Sequence, residues 1–336
     1  MKNVFIINSH TTFLTAIGTI VFLKLKKDNV ILIKMRHFSS KLIRLECRTY
    51  DISDIEDKYA LPQVWRNEAI RKAYINDIDN FIQEKIKDQF ILFAPHFSHP
   101  LFQSFYTSQL CHSGNYIQEG GIPFKNAYRI KLSLYETITS FLINKFFLRT
   151  SRIWMPHGWY VEGKLYKNTQ INSYATSDQF FKYLPSNNHI IKWPKVEVDI
   201  TIEEGACVFI FDGFVQNKFV ERDFYIESCK KMIIQHSKEH NYLRFHPSQT
   251  IEDKKEICSI FEKNHFQYII MDSDIPFELI LSSTNQRLTV VGLGSSLLFF
   301  ARDFGHTVIC HDRWLVKSKY YRRYKKECGF LFFDEI

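Results

Sequence analysis

The chain has 336 residues, of which 45% are hydrophobic and 16% aromatic, and this composition excludes an intrinsically disordered protein. Its length suits two domains better than one. The formal net charge of +8 suits an anionic partner without naming it, because nucleic acid, phospholipid surfaces and sugar nucleotides are all anionic. The seven cysteines include no C-x-x-C pair, which argues against a zinc knuckle and a disulfide framework.

The first half of the chain alternates apolar runs typical of strands with helical stretches. Near the N-terminus, a strand, a polar loop and a helix fit better than a membrane span, because polar residues at 8–12 interrupt the apolar run. Strands are predicted at residues 4–8, 30–35, 90–94 and 153–155. Helices are predicted at residues 13–24, 64–87 and 127–148.

The second half continues the alternation. Strands are predicted at residues 207–211, 242–245, 268–271, 288–291 and 307–310. Helices are predicted at residues 221–239, 251–263, 276–281 and 295–304. Near-continuous apolar strands that alternate with helices indicate parallel sheets covered on both faces, and so an α/β fold.

A turn-rich stretch at residues 182–205 predicts a domain boundary. We therefore expect one domain at residues 1–200, a second at 201–312 and a basic, aromatic tail at 313–336. Two doubly wound domains of this kind leave a cleft between them and bind ligands at the carboxyl ends of their strands.

Two motifs in the second half suit a bound phosphate. His246 and Pro247 follow a predicted strand, and Arg244 stands two residues before the histidine. An imidazole at a strand end can donate a hydrogen bond to a phosphate or act as a general acid. The other motif is a strand-to-helix turn, and hydroxyls with free amides at a helix start suit an anion. Its residues are Gly294, Ser295 and Ser296. A turn histidine and an ordinary helix N-cap are the structural alternatives.

Further residues suit the sugar groups of a transfer reaction. Glu119 lies beside two glycines on a predicted loop, where a carboxylate can take a proton from a sugar hydroxyl. His157 and Trp159 follow a predicted strand, and their rings could bind the face of a sugar. Glu278 opens a predicted helix and could accept hydrogen bonds from a ribose diol. The alternatives are a solvated turn, a packed aromatic turn and a glutamate that favours the helix dipole.

Two other functions stay open at this point. Asp272 and Asp274 follow the predicted strand at 268–271, and an Asp-x-Asp pair can hold Mg²⁺ or Mn²⁺ against a diphosphate. That pattern predicts a metal-dependent glycosyltransferase that uses a nucleotide-diphosphate sugar. The tail at 313–336 interleaves Lys and Arg with Trp and Tyr, which is typical of a non-catalytic binder of membrane or nucleic acid. We recognise no nucleic-acid module and expect no nucleic-acid partner.

In their order along the chain, these motifs resemble those of bacterial sialyltransferases of the lipooligosaccharide sialyltransferase and polysialyltransferase type. The resemblance rests on Glu119-Gly120-Gly121, His246-Pro247 and Ser295-Ser296, with support from residues 209–213 and 276–278. One departure concerns the acidic motif, which in those families has two carboxylates before its glycine. Here either Gln118 replaces the first acid or Gly120 replaces the second, and Glu119 is the acid that remains.

The resemblance implies two Rossmann-like domains that face each other across a cleft, the GT-B arrangement. The first domain would bind the acceptor, and the second would bind the CMP-sugar donor. It implies a CMP-sialic acid donor and an inverting displacement, with no metal and no other cofactor. Glu119 would be the catalytic base, and His246 would stabilise or protonate the departing phosphate. The nucleotide-binding residues would be Arg244, Pro247, Glu278, Gly294, Ser295 and Ser296. The acceptor-binding residues would be His157 and Trp159.

The remaining expectations concern partners and location. The resemblance implies a glycan acceptor on a surface polysaccharide or a lipid-linked oligosaccharide. The basic aromatic tail could seat the protein on an anionic membrane leaflet near such an acceptor. A solvated helix that crosses back over the first domain is the alternative. We expect a cytoplasmic protein at the inner face of the bacterial cytoplasmic membrane.

Overall fold

The chain folds into two compact units, Met1–Pro194 and Lys195–Ile336. The computed structural model describes residues 1–38, 46–120, 134–148, 151–154, 171–178, 180–181, 186–194, 202–272 and 275–320. Each unit is built on its own parallel sheet flanked by helices. The predicted α/β class with two Rossmann-like domains is therefore confirmed. The exact domain limits, their acceptor and donor roles and the cleft stay predictions.

The described part of the first unit contains a seven-stranded sheet in the order β3-β2-β1-β4-β5-β6-β7. Its strands are β1 (Lys2–Ile7), β2 (Val30–Lys34), β3 (Arg48–Asp51), β4 (Phe90–Ala94), β5 (Cys111–Ile117), β6 (Asn172–Ala175) and β7 (Asn187–Ile190). The helices described are α1 (His10–Phe22), α2 (Ser53–Lys58), α3 (Leu61–Arg66), α4 (Glu68–Phe81), α5 (Pro100–Thr107) and α6 (Leu134–Phe146). Helix α4 continues as a π-helical turn at Ile82–Ile86.

The apolar central strands form the core of the first unit. Strands β1, β2 and β4 are almost completely buried, and the rings of Phe5 and Phe93 stack with their centroids 4.2 Å apart. Burial of such side chains is the main favourable contribution to folding. At the carboxyl end of β1, Ser9 forms a capping box with Thr12 and so starts α1 directly above the sheet edge.

The described part of the second unit contains a five-stranded parallel sheet in the order β10-β9-β8-β11-β12. Its strands are β8 (Cys207–Phe211), β9 (Asn241–Phe245), β10 (Ile269–Ile270), β11 (Thr289–Gly292) and β12 (Thr307–Cys310). The helices described are α7 (Arg222–His236), α8 (Ile251–Lys263), α9 (Phe277–Ser283) and α10 (Ser296–Asp303). Strands β8 and β9 are buried along their whole length, as their apolar sequences predict.

The tail begins as part of the second unit. A 3-10 helix at Asp312–Lys317 follows β12 and packs against the core, where Leu315 is buried. The ring of Trp314 stacks on His311 at 3.9 Å, and Lys231 Nζ lies 4.2 Å from its centroid. Trp314 therefore packs on the protein. Residues 321–336 of the tail lie outside the described residues.

Several predicted elements differ from the observed ones, mostly where strands are polar. Strands β3, β6 and β7 carry few apolar side chains, so the sequence gives them no strand pattern, and β7 lies inside the stretch that we expected to be a turn-rich boundary. The strand predicted at 153–155 is absent at Ile153 and Trp154, and Met155 is outside the described residues. The helix predicted at 64–87 is interrupted at Asn67, which caps α4.

The described residues contain no helix that is long and apolar enough to cross a membrane.

Candidate active site

Three polar side chains of the first unit meet at the carboxyl edge of its sheet. Asn8, His96 and Glu119 follow β1, β4 and β5, which are neighbouring parallel strands. Asn8 Nδ2 donates to Glu119 Oε1 at 2.6 Å, and His96 Nε2 lies 3.6 Å from Glu119 Oε2. We call these three residues the Glu119 cluster. It flanks the point between β1 and β4 where the strand order reverses, which is where doubly wound sheets bind ligands.

Burial sets the ionisation of the Glu119 cluster. The side chain of Glu119 is 20% exposed, and burial raises the pKa of its carboxyl, while the hydrogen bond from Asn8 and the charge of Arg36 lower it. Burial, together with His99 and Arg36, lowers the pKa of His96 to about 3. His96 is therefore a neutral imidazole at physiological pH. A raised carboxyl pKa at a sheet edge is typical of a general base.

The structure distinguishes Glu119 from its neighbour Gln118. Gln118 is fully buried, and its Oε1 accepts hydrogen bonds from the backbone N–H (2.7 Å) and the hydroxyl (3.0 Å) of Thr176. Gln118 thus links the ends of β5 and β6 inside the unit. Glu119 is the side chain of this pair that belongs to the cluster at the edge. Gly120 has a φ of +45°, and Gly121 lies outside the described residues.

A second cluster lies at the carboxyl edge of the second sheet. His246 directly follows β9, and Ser248 holds its ring: the Ser248 backbone N–H donates to His246 Nδ1 at 3.1 Å, and Ser248 Oγ lies 2.7 Å from the same nitrogen. Because Nδ1 accepts a hydrogen, the neutral ring carries its proton on Nε2. His246 is exposed, and desolvation with the charges of Arg244 and Lys254 lowers its pKa. At neutral pH it presents an N–H donor.

Two residues that the sequence did not single out as site residues lie beside His246. Asp212 and Gly213 follow the central strand β8, and a Cβ atom on Gly213 would lie 3.0 Å from His246 Nδ1. Asp212 Oδ2 is buried and has no hydrogen-bond partner among the described residues. Burial raises the pKa of Asp212 to about 7, against a hydrogen bond from the Ser295 side chain that lowers it. The sequence signal that could have identified them is that Asp212 and Gly213 directly follow an apolar strand.

A short hydrogen-bond relay fixes the backbone of this cluster. The backbone N–H of His246 donates to Gln249 Oε1 at 3.0 Å, and Gln249 Nε2 donates to the Tyr225 hydroxyl at 3.3 Å. That hydroxyl donates to the carbonyl of Asp212 at 3.0 Å. We call Asp212, Gly213, His246, Ser248 and Ser295 the His246 cluster. Because β8, β9 and β11 are neighbours in the sheet, its members lie at one edge.

The two predicted serines differ in their surroundings. Ser295 is buried and is the N-cap of α10, where its Oγ accepts the Leu297 N–H at 3.2 Å. Ser296 is exposed as the first residue of the helix. Gly294, just before them, has a φ of +135°, which favours glycine. Ser296 and the backbone amides of this turn are the groups that an anion can reach.

The other predicted nucleotide-binding residues differ in how far they are buried. Arg244 is buried in β9, and its guanidinium donates to the backbone carbonyl of Asp272. Pro247 is exposed beside His246. Glu278 is half-buried in the first turn of α9, and Pro276 is the N-cap rather than the first helical residue that we predicted.

Some predicted positions lie outside the described residues: His157, Trp159 and Asp274. Asp272 is described and exposed, after the two-residue edge strand β10. Across the residues that the structure describes, no group of three or more His, Cys, Asp or Glu is placed to hold a metal ion.

Two solved structures share the fold over most of the chain. A protein from Listeria monocytogenes described as a UDP-N-acetylglucosamine 2-epimerase matches 91% of this chain and 78% of its own, with a TM-score of 0.52 and 12% identity. The S. aureus MnaA–UDP structure matches 92% of this chain and 78% of its own, with a TM-score of 0.50 and 10% identity. At this identity the likeness establishes the fold alone. No curated protein matches the chain by sequence.

The chain is thus built from two Rossmann-like units, each with a polar cluster at the carboxyl edge of its parallel sheet. The sequence model of the alpha-2,8-polysialyltransferase (POLYST) family matches residues 55–310, which is most of the chain and includes Glu119, His246 and Ser295. The chain belongs to this family. It is a sialyltransferase that uses a nucleotide-sugar donor and a glycan acceptor, as the resemblance of its motifs predicted.

Proposed function

We propose that the protein transfers sialic acid from CMP-sialic acid to a sugar hydroxyl of a surface polysaccharide or a lipid-linked oligosaccharide. The transfer inverts the anomeric centre and needs no metal ion. The observation that carries the proposal is the Glu119 cluster, a half-buried carboxylate held by Asn8 and faced by His96 at the carboxyl edge of a doubly wound sheet.

Glu119 acts as the base in this proposal. Its carboxylate removes the proton of the acceptor hydroxyl as the hydroxyl oxygen attacks the anomeric carbon, and the bond from that carbon to the CMP phosphate oxygen breaks. Burial raises the pKa of Glu119 and so strengthens it as a base. Asn8 fixes one carboxylate oxygen, which holds the base in one orientation.

The His246 cluster receives the leaving group. His246, with its proton on Nε2, donates to the departing phosphate as negative charge develops there. Ser296 and the amides at the start of α10 bind the other phosphate oxygens, and Glu278 binds the ribose. A single phosphate carries less charge than a diphosphate, so donors from the protein suffice to stabilise CMP as it leaves.

The donor is tested by thermal unfolding with CMP, UMP, UDP, GDP and CDP. A ligand that binds only the folded state raises the melting temperature. We expect the largest rise with CMP, and a smaller rise in a His246→Ala variant. A larger effect of UDP or GDP would contradict the CMP-sugar donor.

The metal question is tested with EDTA in a transfer assay. We expect unchanged turnover, because His246 and the helix start replace a cation in the mechanism proposed above. Loss of turnover that returns with Mg²⁺ or Mn²⁺ would instead support the function in which Asp272 and Asp274 hold a metal. An Asp272→Asn, Asp274→Asn double variant is the matched control, and we expect it to stay active.

We also propose that the protein works at the inner face of the bacterial cytoplasmic membrane, near a lipid-linked acceptor. The basic aromatic tail supports this, as does α6, where an exposed apolar stripe includes Phe141 and Phe146 and Lys145 Nζ lies within 6 Å of both ring centroids. Flotation with anionic and with neutral vesicles tests it. We expect binding to anionic vesicles that weakens in salt, and equal behaviour with both vesicle types would overturn it.

A further inference from the structure

His96 has the same local arrangement as His246, although the sequence analysis did not assign it a role. The Ser98 backbone N–H donates to His96 Nδ1 at 3.2 Å, and Ser98 Oγ lies 2.7 Å from that nitrogen. The corresponding distances from Ser248 to His246 are 3.1 and 2.7 Å. In each unit, therefore, a histidine just beyond a parallel strand is held through Nδ1 by the serine two residues later.

This arrangement fixes the tautomer of His96. A nitrogen that accepts a backbone N–H carries no proton, so the proton of the neutral ring is on Nε2. Nε2 is the atom that lies 3.6 Å from Glu119 Oε2. The Phe102 ring packs against the imidazole in an edge-to-face arrangement with the centroids 4.8 Å apart, and Phe102 is fully buried. The orientation of the His96 ring and the nitrogen that carries its proton are therefore both fixed.

The surroundings keep this histidine a neutral donor. His96 is itself buried, and the groups that act on it electrostatically are Arg36 beyond β2 and His99 at the start of α5. His99 accepts the Leu101 N–H through its own Nδ1, and its pKa is lowered to about 4. Glu119 is the carboxylate that faces the ring from β5. A neutral imidazole cannot form an ion pair, so its effect on Glu119 comes from a directed N–H.

We propose that His96 is a positioning residue for Glu119, and that its Nε2–H orients the second carboxylate oxygen while Asn8 holds the first. At 3.6 Å the contact is longer than a hydrogen bond. It shortens to one when the acceptor sugar fills the site, as catalytic hydrogen bonds commonly do. The inference rests on the base role proposed for Glu119.

The test compares His96→Leu with His96→Gln in a transfer assay over a range of pH. Leu removes the donor, whereas the Gln amide can replace Nε2–H. For His96→Leu we expect kcat to fall roughly ten-fold or more and the acid limb of the rate profile to move to higher pH, because the carboxylate loses a donor that favours its charged form. The KM for the donor should not change. We expect His96→Gln to recover most of the rate, and exposed His112→Leu is the matched control.

A second measurement does not depend on a folded variant. In wild-type protein with ¹⁵N-labelled histidine, we expect the His96 resonances of a neutral ring protonated on Nε2, with a shifted Nε2 signal in Glu119→Gln. An Nδ1–H tautomer would overturn the inference. If Glu119→Gln is inactive while His96→Leu keeps the wild-type rate and pH profile, only this inference falls. If Glu119→Gln is active, the proposed function loses its base.

Discussion

Gly213 leaves no room for a side chain beside Ser248, since a Cβ atom at residue 213 would lie 2.2 Å from Ser248 Oγ. The same Cβ would be 3.0 Å from His246 Nδ1. The backbone after β8 therefore packs directly against the His246 ring and against Ser248, the residue that holds this ring. The absence of a side chain at residue 213 allows His246 and Ser248 to take their positions.

We expect Gly213→Ala to displace Ser248 and release the His246 ring. Affinity for CMP and the rate of transfer should fall together, because the ring then samples orientations that do not face the phosphate. Calorimetric titration with CMP and a transfer assay measure the two quantities. Gly205→Ala is the control: its φ of +75° strains an alanine, but no atom lies near the added Cβ. Unchanged CMP affinity in Gly213→Ala would contradict the position that we give to the phosphate.

Asp212 should make the stability of the protein depend on pH. Its pKa is about 7 in the folded state, against an ordinary value of 3.8, because burial disfavours the charged carboxylate. The folded state thus holds a proton between about pH 4 and pH 7 that the unfolded state has lost, so stability falls as pH rises through this window. A pKa shift of this size corresponds to a loss of at most ~4 kcal/mol in the free energy of unfolding.

The measurement is thermal unfolding of Asp212→Asn at pH 5 and pH 8. Asn cannot ionise, so we expect the variant to gain melting temperature relative to the wild type at pH 8 and much less at pH 5. Asp223→Asn, which changes an exposed carboxylate in the same unit, should show little difference between the two pH values. An equal effect of Asp212→Asn at both pH values would show that burial does not raise this pKa.

The two serines at the start of α10 should separate stability from binding. Ser295 caps the helix and donates to Asp212, so Ser295→Ala should lower the free energy of unfolding by about 1 kcal/mol. Ser296 is exposed, and Ser296→Ala should change stability by less than ~0.5 kcal/mol while weakening CMP binding. Denaturant unfolding and CMP titration on both variants provide the check. If CMP binding weakened in Ser295→Ala but not in Ser296→Ala, Ser295 rather than Ser296 would be the serine that binds CMP.

Glu119 should set the acid limb of the activity profile. The base works when it is deprotonated, and burial raises its pKa, so kcat/KM should fall as pH drops through a value above the usual range of a glutamate. Glu119→Gln should lower kcat roughly 100-fold or more and remove this limb. The exposed Glu84→Gln is the matched control, with an unchanged profile expected. An acid limb that persists in Glu119→Gln would assign the titration to another group.

The apolar strands were predictable because their burial requires a continuous run of hydrophobic side chains. Strands β1, β2, β4, β8 and β9 begin and end within a residue or two of their predicted limits. Strands β3 and β7 could not be predicted from the sequence, because their side chains are mostly exposed and form no continuous hydrophobic run. Their place in the sheet comes from backbone hydrogen bonds to a neighbouring strand.

The sequence by itself determined the α/β class and pointed to Glu119, His246 and the serine pair as candidate site residues, because apolar runs and polar residues at strand ends are local properties of the chain. The tertiary structure alone decided that His96 faces Glu119 and that Asp212 receives a hydrogen bond from Ser295. These partners come from strands far apart in sequence, and only the order of parallel strands in each sheet brings their ends together. Burial at those edges then shifts the pKa values, which no local pattern of residues encodes.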